Sequence, residues 1–171
     1  MNNKENKIIK SENTHNRIQR RMTYVIPITI VTMIATNLGI SFATKAAYAQ
    51  DIMVYKSPTC GCCKKWVNHL ENEGFNVKTK DYNDMNPIKK TFGVNSQFQS
   101  CHTAKVGKYF IEGHVSAFEI KKLLKDKPDI KGLSAPGMPM GSPGMEGHRK
   151  DKYNVLAIDK NDKAIIYSSH N

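Results

Sequence analysis

Residues 52–57, IMVYKS, are an apolar, β-branched run that stops at Pro58, the pattern of a buried strand. In KKWVNHLENEG, residues 64–74, Trp66, Val67 and Leu70 fall on one helical face, and Gly74 closes the helix. FNVKTKDY, residues 75–82, alternates apolar and polar positions and predicts a second strand. NPIKKTFGV, residues 86–94, reads as a short helix or turn behind Pro87. A polar stretch follows, and its Cys101 and His102 stand just before a candidate strand. KYFIEGHVS, residues 108–116, predicts a strand broken at Gly113, and residues 117–127 a helix with Ile120, Leu123 and Leu124 inward, stopped by Pro128. Residues 132–148, with five Gly and three Pro, read as a loop. A closing hairpin is expected, YNVLAID then KAIIYSS, across the turn at residues 160–163.

Strand, helix, strand, helix, strand, helix and hairpin in that order predict an α/β fold, a small three-layer sandwich with an added C-terminal β-hairpin. A C-x-x-C that leaves a first strand and opens a helix resembles the thioredoxin-like fold. No internal repeat interrupts this plan.

The first 49 residues stand apart. Six Lys/Arg precede residue 22 against Glu5 and Glu12, residues 22–43 carry no charge, and Ala47-Tyr48-Ala49 follows. This is the form of a secretory signal, so cleavage is expected after Ala49, leaving one domain at residues 50–171. The alternative is an uncleaved anchor, since 22 uncharged residues just span a bilayer; Pro27, Asn37 and five Thr/Ser weaken it. Arg20-Arg21 supplies the pair of a twin-arginine export signal, but RRMTYV lacks the rest of that pattern. The reading is an exported protein, periplasmic or otherwise extracytoplasmic, touching membrane only if the anchor stays.

The chain's net charge of +11 falls to +6 over residues 50–171. Its lysines are scattered and carry no aromatic-studded basic motif, so nucleic acid is not an expected partner. A domain of this size buries about two-thirds of its unfolded surface.

SPTCGCCKKW, residues 57–66, holds three of the four cysteines within four positions. Two disulfides are the usual state of four cysteines in an exported protein. Here a Cys62–Cys63 or Cys60–Cys62 bridge is strained, and only Cys60–Cys63 or one long bridge to Cys101 is comfortable. A helix N-terminus with Lys64 and Lys65 beside it favours thiolate, which both disulfide exchange and metal ligation use. Cys62 separates the two. A third thiol in the same turn gives an oxidoreductase competing partners, whereas three crowded thiolates bridge soft metal ions. SCHTA fills the place where thioredoxin-like oxidoreductases carry a cis-proline, so Cys101 is expected to face the other three cysteines.

The loop adds His148 and the thioethers of Met138, Met140 and Met145, which no helical core accounts for and which, like thiolates, select Cu(I). His102 is a further candidate ligand through its neighbour Cys101. His69, His114 and His170 are not expected to take part, His69 lying on the solvated face of the first helix. A four-Cys zinc site is built from two separated C-x-x-C knuckles, so copper is expected over zinc.

YKSPTCGCCKKW, SCHTA, EGHV and GLSAPGMPMGSPGMEG together resemble the exported CopG-type copper-resistance proteins, a family long catalogued as a domain of unknown function, over residues 52–168. The resemblance implies a thioredoxin-like fold and more than one Cu(I) bound through a cysteine-bridged cluster. Cys60, Cys62, Cys63 and Cys101 are then the core ligands, with His102 and the methionine loop in support. Copper ions and other extracytoplasmic copper-handling proteins become the expected partners. The alternative is an enzyme, a thiol–disulfide or copper oxidoreductase with Cys60 attacking and Cys63 resolving.

Overall fold

The computed structural model describes residues 50–171. The export signal, its cleavage site and the anchor alternative fall on residues 1–49, outside the described residues. Among the described residues no helix is long and apolar enough to cross a membrane.

The elements run β1 (Asp51–Lys56), α1 (Gly61–Asn72), β2 (Asn76–Asp81), α2 (Asn86–Thr91), a 3₁₀ turn (Ser96–Phe98), β3 (Thr103–Val106), β4 (Tyr109–Gly113), α3 (Ala117–Asp126), β5 (Gly132–Ala135), β6 (Tyr153–Ile158) and β7 (Ala164–His170). All seven strands form one sheet in the order β2-β1-β3-β4-β5-β6-β7. β1 pairs with β2 and β4 with β5 in parallel; every other pairing is antiparallel. The β2-β1-β3-β4 half with α1 and α3 is the thioredoxin-like unit, and β6–β7 is the added hairpin.

Alternation along the strands separates two apolar faces. Ile52, Val54, Ala104, Val106, Ile111, Leu133, Val155 and Ala157 pack with Trp66, Val67 and Leu70 of α1 and Ile120 and Leu123 of α3. Phe110 and Ile158 belong to a second cluster with Val94 and Phe98, which α2 and the 3₁₀ turn lay over the opposite face. Helices on both sides of one sheet are the three layers that the element order predicts. Each large side chain fully buried in this way contributes about 1.5–3 kcal/mol.

The stretch expected to be a loop throughout, 132–148, begins instead as strand β5. All four of its residues are buried, so GLSA shows no alternation from which a strand could be read.

Helix α3 starts with a capping box in which Ser116 and Glu119 bond reciprocally. Glu119 is buried and also accepts from Ser168 Oγ and from His170 Nε2 at 2.9 Å, so one carboxylate ties the helix start to the last strand. Burial works against its charge, but the donors from Ser168, His170 and Ser116 together hold its pKa below the usual 4.5. A lowered folded pKa stabilises the fold above the unfolded value, and that contribution disappears as pH falls through the folded one. Replacing Glu119 with Gln is therefore expected to cost about 1–3 kcal/mol near pH 7. The gap from the parent, measured by urea titration across pH, should close as pH drops below 4.5 through the lowered folded value. A gap that stays constant with pH would refute this.

Candidate metal centre

Strand β1 ends at Lys56, and the Ser57-Pro58-Thr59 turn, closed by Cys60 N–H to Ser57 O at 3.2 Å, delivers the chain into α1. Cys60 is the N-cap, and its sulfur accepts from Cys63 N–H at 3.3 Å. The first turn of α1 carries no acidic side chain, so the positive end of the helix dipole meets the sulfurs unopposed.

Cys60 and Cys63 are joined in a disulfide with Cα atoms 5.3 Å apart, one of the two pairings that spacing leaves comfortable. Cys63 is fully buried, while Cys60 and Cys62 are partly accessible. Cys62 Sγ lies 3.5 Å from Cys60 Sγ and 4.0 Å from Cys101 Sγ. The four cysteine sulfurs all lie within 4.8 Å of one another. Cys101 faces the other three, as the position of SCHTA predicts, because it stands two residues before β3, the neighbour of β1.

Beneath Cys101 are two imidazoles, of which the sequence reading picked out only one. His102 is fully buried, with Nδ1 3.3 Å from Cys101 Sγ and Nε2 left without a hydrogen-bond partner. Its ring lies 4.3 Å from that of Trp66 and meets His114 edge-on at 4.9 Å. His114, expected to be uninvolved, places Nε2 3.1 Å from Cys101 Sγ. Its Nδ1 is 2.8 Å from the carbonyl of Pro143, an acceptor only, so Nδ1 carries the proton and Nε2 presents a lone pair to the sulfur. Cys101, His102 and His114 form a second metal-competent group that shares Cys101 with the first.

Gly113 is what brings His114 here. Its φ is +70°, and a Cβ at this position would stand 2.6 Å from both Ala135 O and the Ser100 side chain. EGHV carries this signal, since a glycine breaking a strand marks a close backbone approach and re-aims the next side chain. His69 differs from expectation too: it is half-buried and its Nε2 accepts from Ala117 N–H at 3.1 Å, joining α1 to α3.

The electrostatics favour neutral groups in the metal-free site. Burial first, and Cys62 beside it second, push the Cys101 thiol up to about 12. Burial, then His114 and Lys89, hold His102 well below the usual histidine value. Burial lowers His114 against the opposing pull of the Pro143 carbonyl and Glu146. Neutral imidazoles are the ligating form, and a thiol of this kind gives up its proton when a metal takes its place.

The methionine loop folds back over α1. Gly144, at φ +85°, is so close that a Cβ would stand 2.8 Å from Cys62 O and Trp66 N. Met145, next along, is half-buried and Met138 is 55% exposed. Met140 is pinned by Asp151 through two hydrogen bonds of 3.0 and 2.8 Å. It lines a cavity of about 340 Å³ with Lys150, Tyr153 and His170, and none of the cysteines borders that cavity. His148 is exposed, and His170 pairs with Glu119 instead.

Fold and site together define a thioredoxin-like domain whose redox-pair position has become a four-sulfur cluster. The family model described as "Protein of unknown function, DUF411" matches residues 98–145, the segment with Cys101, both buried imidazoles and the three loop methionines. Two solved structures, of copper resistance protein copG in Form 1 and Form 2, are each 41% identical to the chain with a TM-score of 0.68, covering 71% of this chain and 98% of the other. No curated protein sequence matches. The chain belongs to the CopG-type copper-resistance family.

Replacing Gly144 with Ala puts a Cβ against the first turn of α1 and forces a left-handed residue at a cost of roughly 1–2 kcal/mol. The loop is expected to come away from the cluster while the sheet persists. Faster tryptic cleavage at Arg149, Lys150 and Lys152 would register this, and cleavage at the parent rate would refute the contact.

Proposed function

We propose that this domain binds Cu(I) as cargo outside the cytoplasm and so contributes to copper tolerance. Cys60, Cys62, Cys63 and Cys101 would bridge more than one ion. The carrying observation is the set of four sulfurs within 4.8 Å of one another, a density of soft donors that suits Cu(I). The copper-resistance relatives support the choice of metal. His102, with Nδ1 3.3 Å from Cys101 Sγ, offers a nitrogen donor beside one of these sulfurs. Met138, Met140 and Met145 would supply thioethers from the loop, Met145 from the residue beside the Gly144 contact. The basic helix terminus offsets the charge of clustered thiolates. Zinc is the weaker candidate, because the thiols are not divided between two knuckles. The export reading of residues 1–49 belongs to the same proposal, as does exchange of copper with other extracytoplasmic copper-handling proteins.

Loading this site requires the Cys60–Cys63 disulfide to be opened by two electrons and two protons. That bridge favours a second reading, a thiol–disulfide or copper oxidoreductase. Partly accessible Cys60 would be attacked or attack, and buried Cys63 would resolve.

Anaerobic titration of the reduced chain with Cu(I) against a strong chelator separates the two. The copper reading expects more than one ion per chain, all four thiols protected from alkylation, and loss of uptake in the Cys60/Cys62/Cys63 triple Ser variant. Undiminished uptake by that variant would end it. The oxidoreductase reading expects disulfide reduction that needs Cys60 and Cys63 and survives loss of Cys62 and Cys101.

A further inference from the structure

A lysine is buried on the far side of the sheet from α1. Lys89 of α2 is 4% exposed, with Nζ 2.5 Å from Glu112 Oε1 and 3.1 Å from Thr103 Oγ1. Thr103 donates to Glu112 Oε2 at 2.6 Å across the β3–β4 register. Glu112 is fully buried, and its Oε1 also accepts Ser100 N–H at 2.7 Å. Ser100 is the residue before Cys101.

Such an ion pair is a poor device for stability alone. Removing two charges from water costs as much as their attraction returns, and an apolar pair of the same volume serves as well or better. Burial in fact pushes the Glu112 carboxyl upward even with Lys89 against it. What an apolar pair cannot do is accept the Ser100 N–H. The turn carrying Cys101 is held at one end by that bond, beside the Ser100 hydroxyl's bond to Gly137 O, and at the other by Gly113 N–H to His102 O at 3.0 Å. Between these two points Cys101 Sγ stands 4.0 Å from Cys62 Sγ.

We propose that the Lys89–Glu112–Thr103 network is a positioning device for the sulfur cluster: Glu112, through Ser100 N–H, sets where Cys101 stands, and Lys89 with Thr103 fixes Glu112. The inference rests on the reading of Cys101 as the fourth metal ligand.

Two uncharged double variants keep or remove the acceptor. Lys89→Met with Glu112→Gln keeps a carbonyl oxygen for Ser100, and Lys89→Met with Glu112→Leu removes it. Two readouts apply to the full chain. The first is metal-free: with Cys60 and Cys63 changed to Ser, diamide takes two electrons and two protons from Cys62 and Cys101 as they join. Its rate reports how well the two sulfurs meet. The second is Cu(I) affinity with all four cysteines present and reduced.

The Leu variant is expected to cross-link roughly tenfold or more slowly and to bind Cu(I) about 10- to 100-fold more weakly, losses larger than any change in thermal midpoint accounts for. The Gln variant should match the parent in both. Equal behaviour of the two variants, whether both like the parent or both impaired, overturns the proposal. So does a Leu variant whose losses only track a lowered midpoint. If the Leu variant fails to fold, Glu112→Ala against Glu112→Gln decides by the same two measurements. A parent that takes up no Cu(I) but cross-links in a network-dependent way would end the copper reading and uphold the positioning role.

Discussion

Tyr55 of β1 stands opposite Thr103 of β3 in an antiparallel pair, and the site depends on that register. At this end of the two strands β1 runs out into the cysteine-bearing turn while the chain enters β3 from Cys101 and His102. The register is fixed by hydrophobic burial: Ile52 and Val54 on one strand and Ala104 and Val106 on the other all face the same core. A slip of one residue would turn Ala104 and Val106 away from α1 and carry Cys101 off the other three sulfurs. The strand register that brings the sulfurs together is thus set by apolar packing.

The sequence disclosed most of this where its signals were local. Trp66, Val67 and Leu70 sit at helical spacing and do pack on the core, and the predicted hairpin is β6–β7. The three clustered cysteines and the need for a facing Cys101 could likewise be read from spacing and strand order. What escaped was non-local. Strand β5 is too short and too uniformly buried to alternate, and it lies within a run of Gly and Pro. His114 was not expected to take part because its place depends on Gly113 passing between Ala135 and Ser100, a closeness known only once β4 and β5 are paired. Lys89 and Glu112 are 23 residues apart and look solvated in sequence, yet both are buried.

The same sulfurs are open to two chemistries that exclude one another. A sulfur in the Cys60–Cys63 bridge has no thiolate charge to offer a metal. With that bridge closed, the remaining free thiols are Cys62 and Cys101, the latter backed by His102 and His114. Metal capacity at this end of the domain is therefore tied to the electron count of one cysteine pair.

Trp66 is the chain's single tryptophan. It is wholly buried, its indole N–H is held by Val115 O at 2.8 Å, and its ring lies 4.3 Å from that of His102. The fluorescence of this protein thus comes from one rigid indole three residues after Cys63, beside one of the two imidazoles that meet the Cys101 sulfur. Any electron-accepting or heavy ion arriving there would quench it by contact, giving the domain an intrinsic optical gauge of its own occupancy.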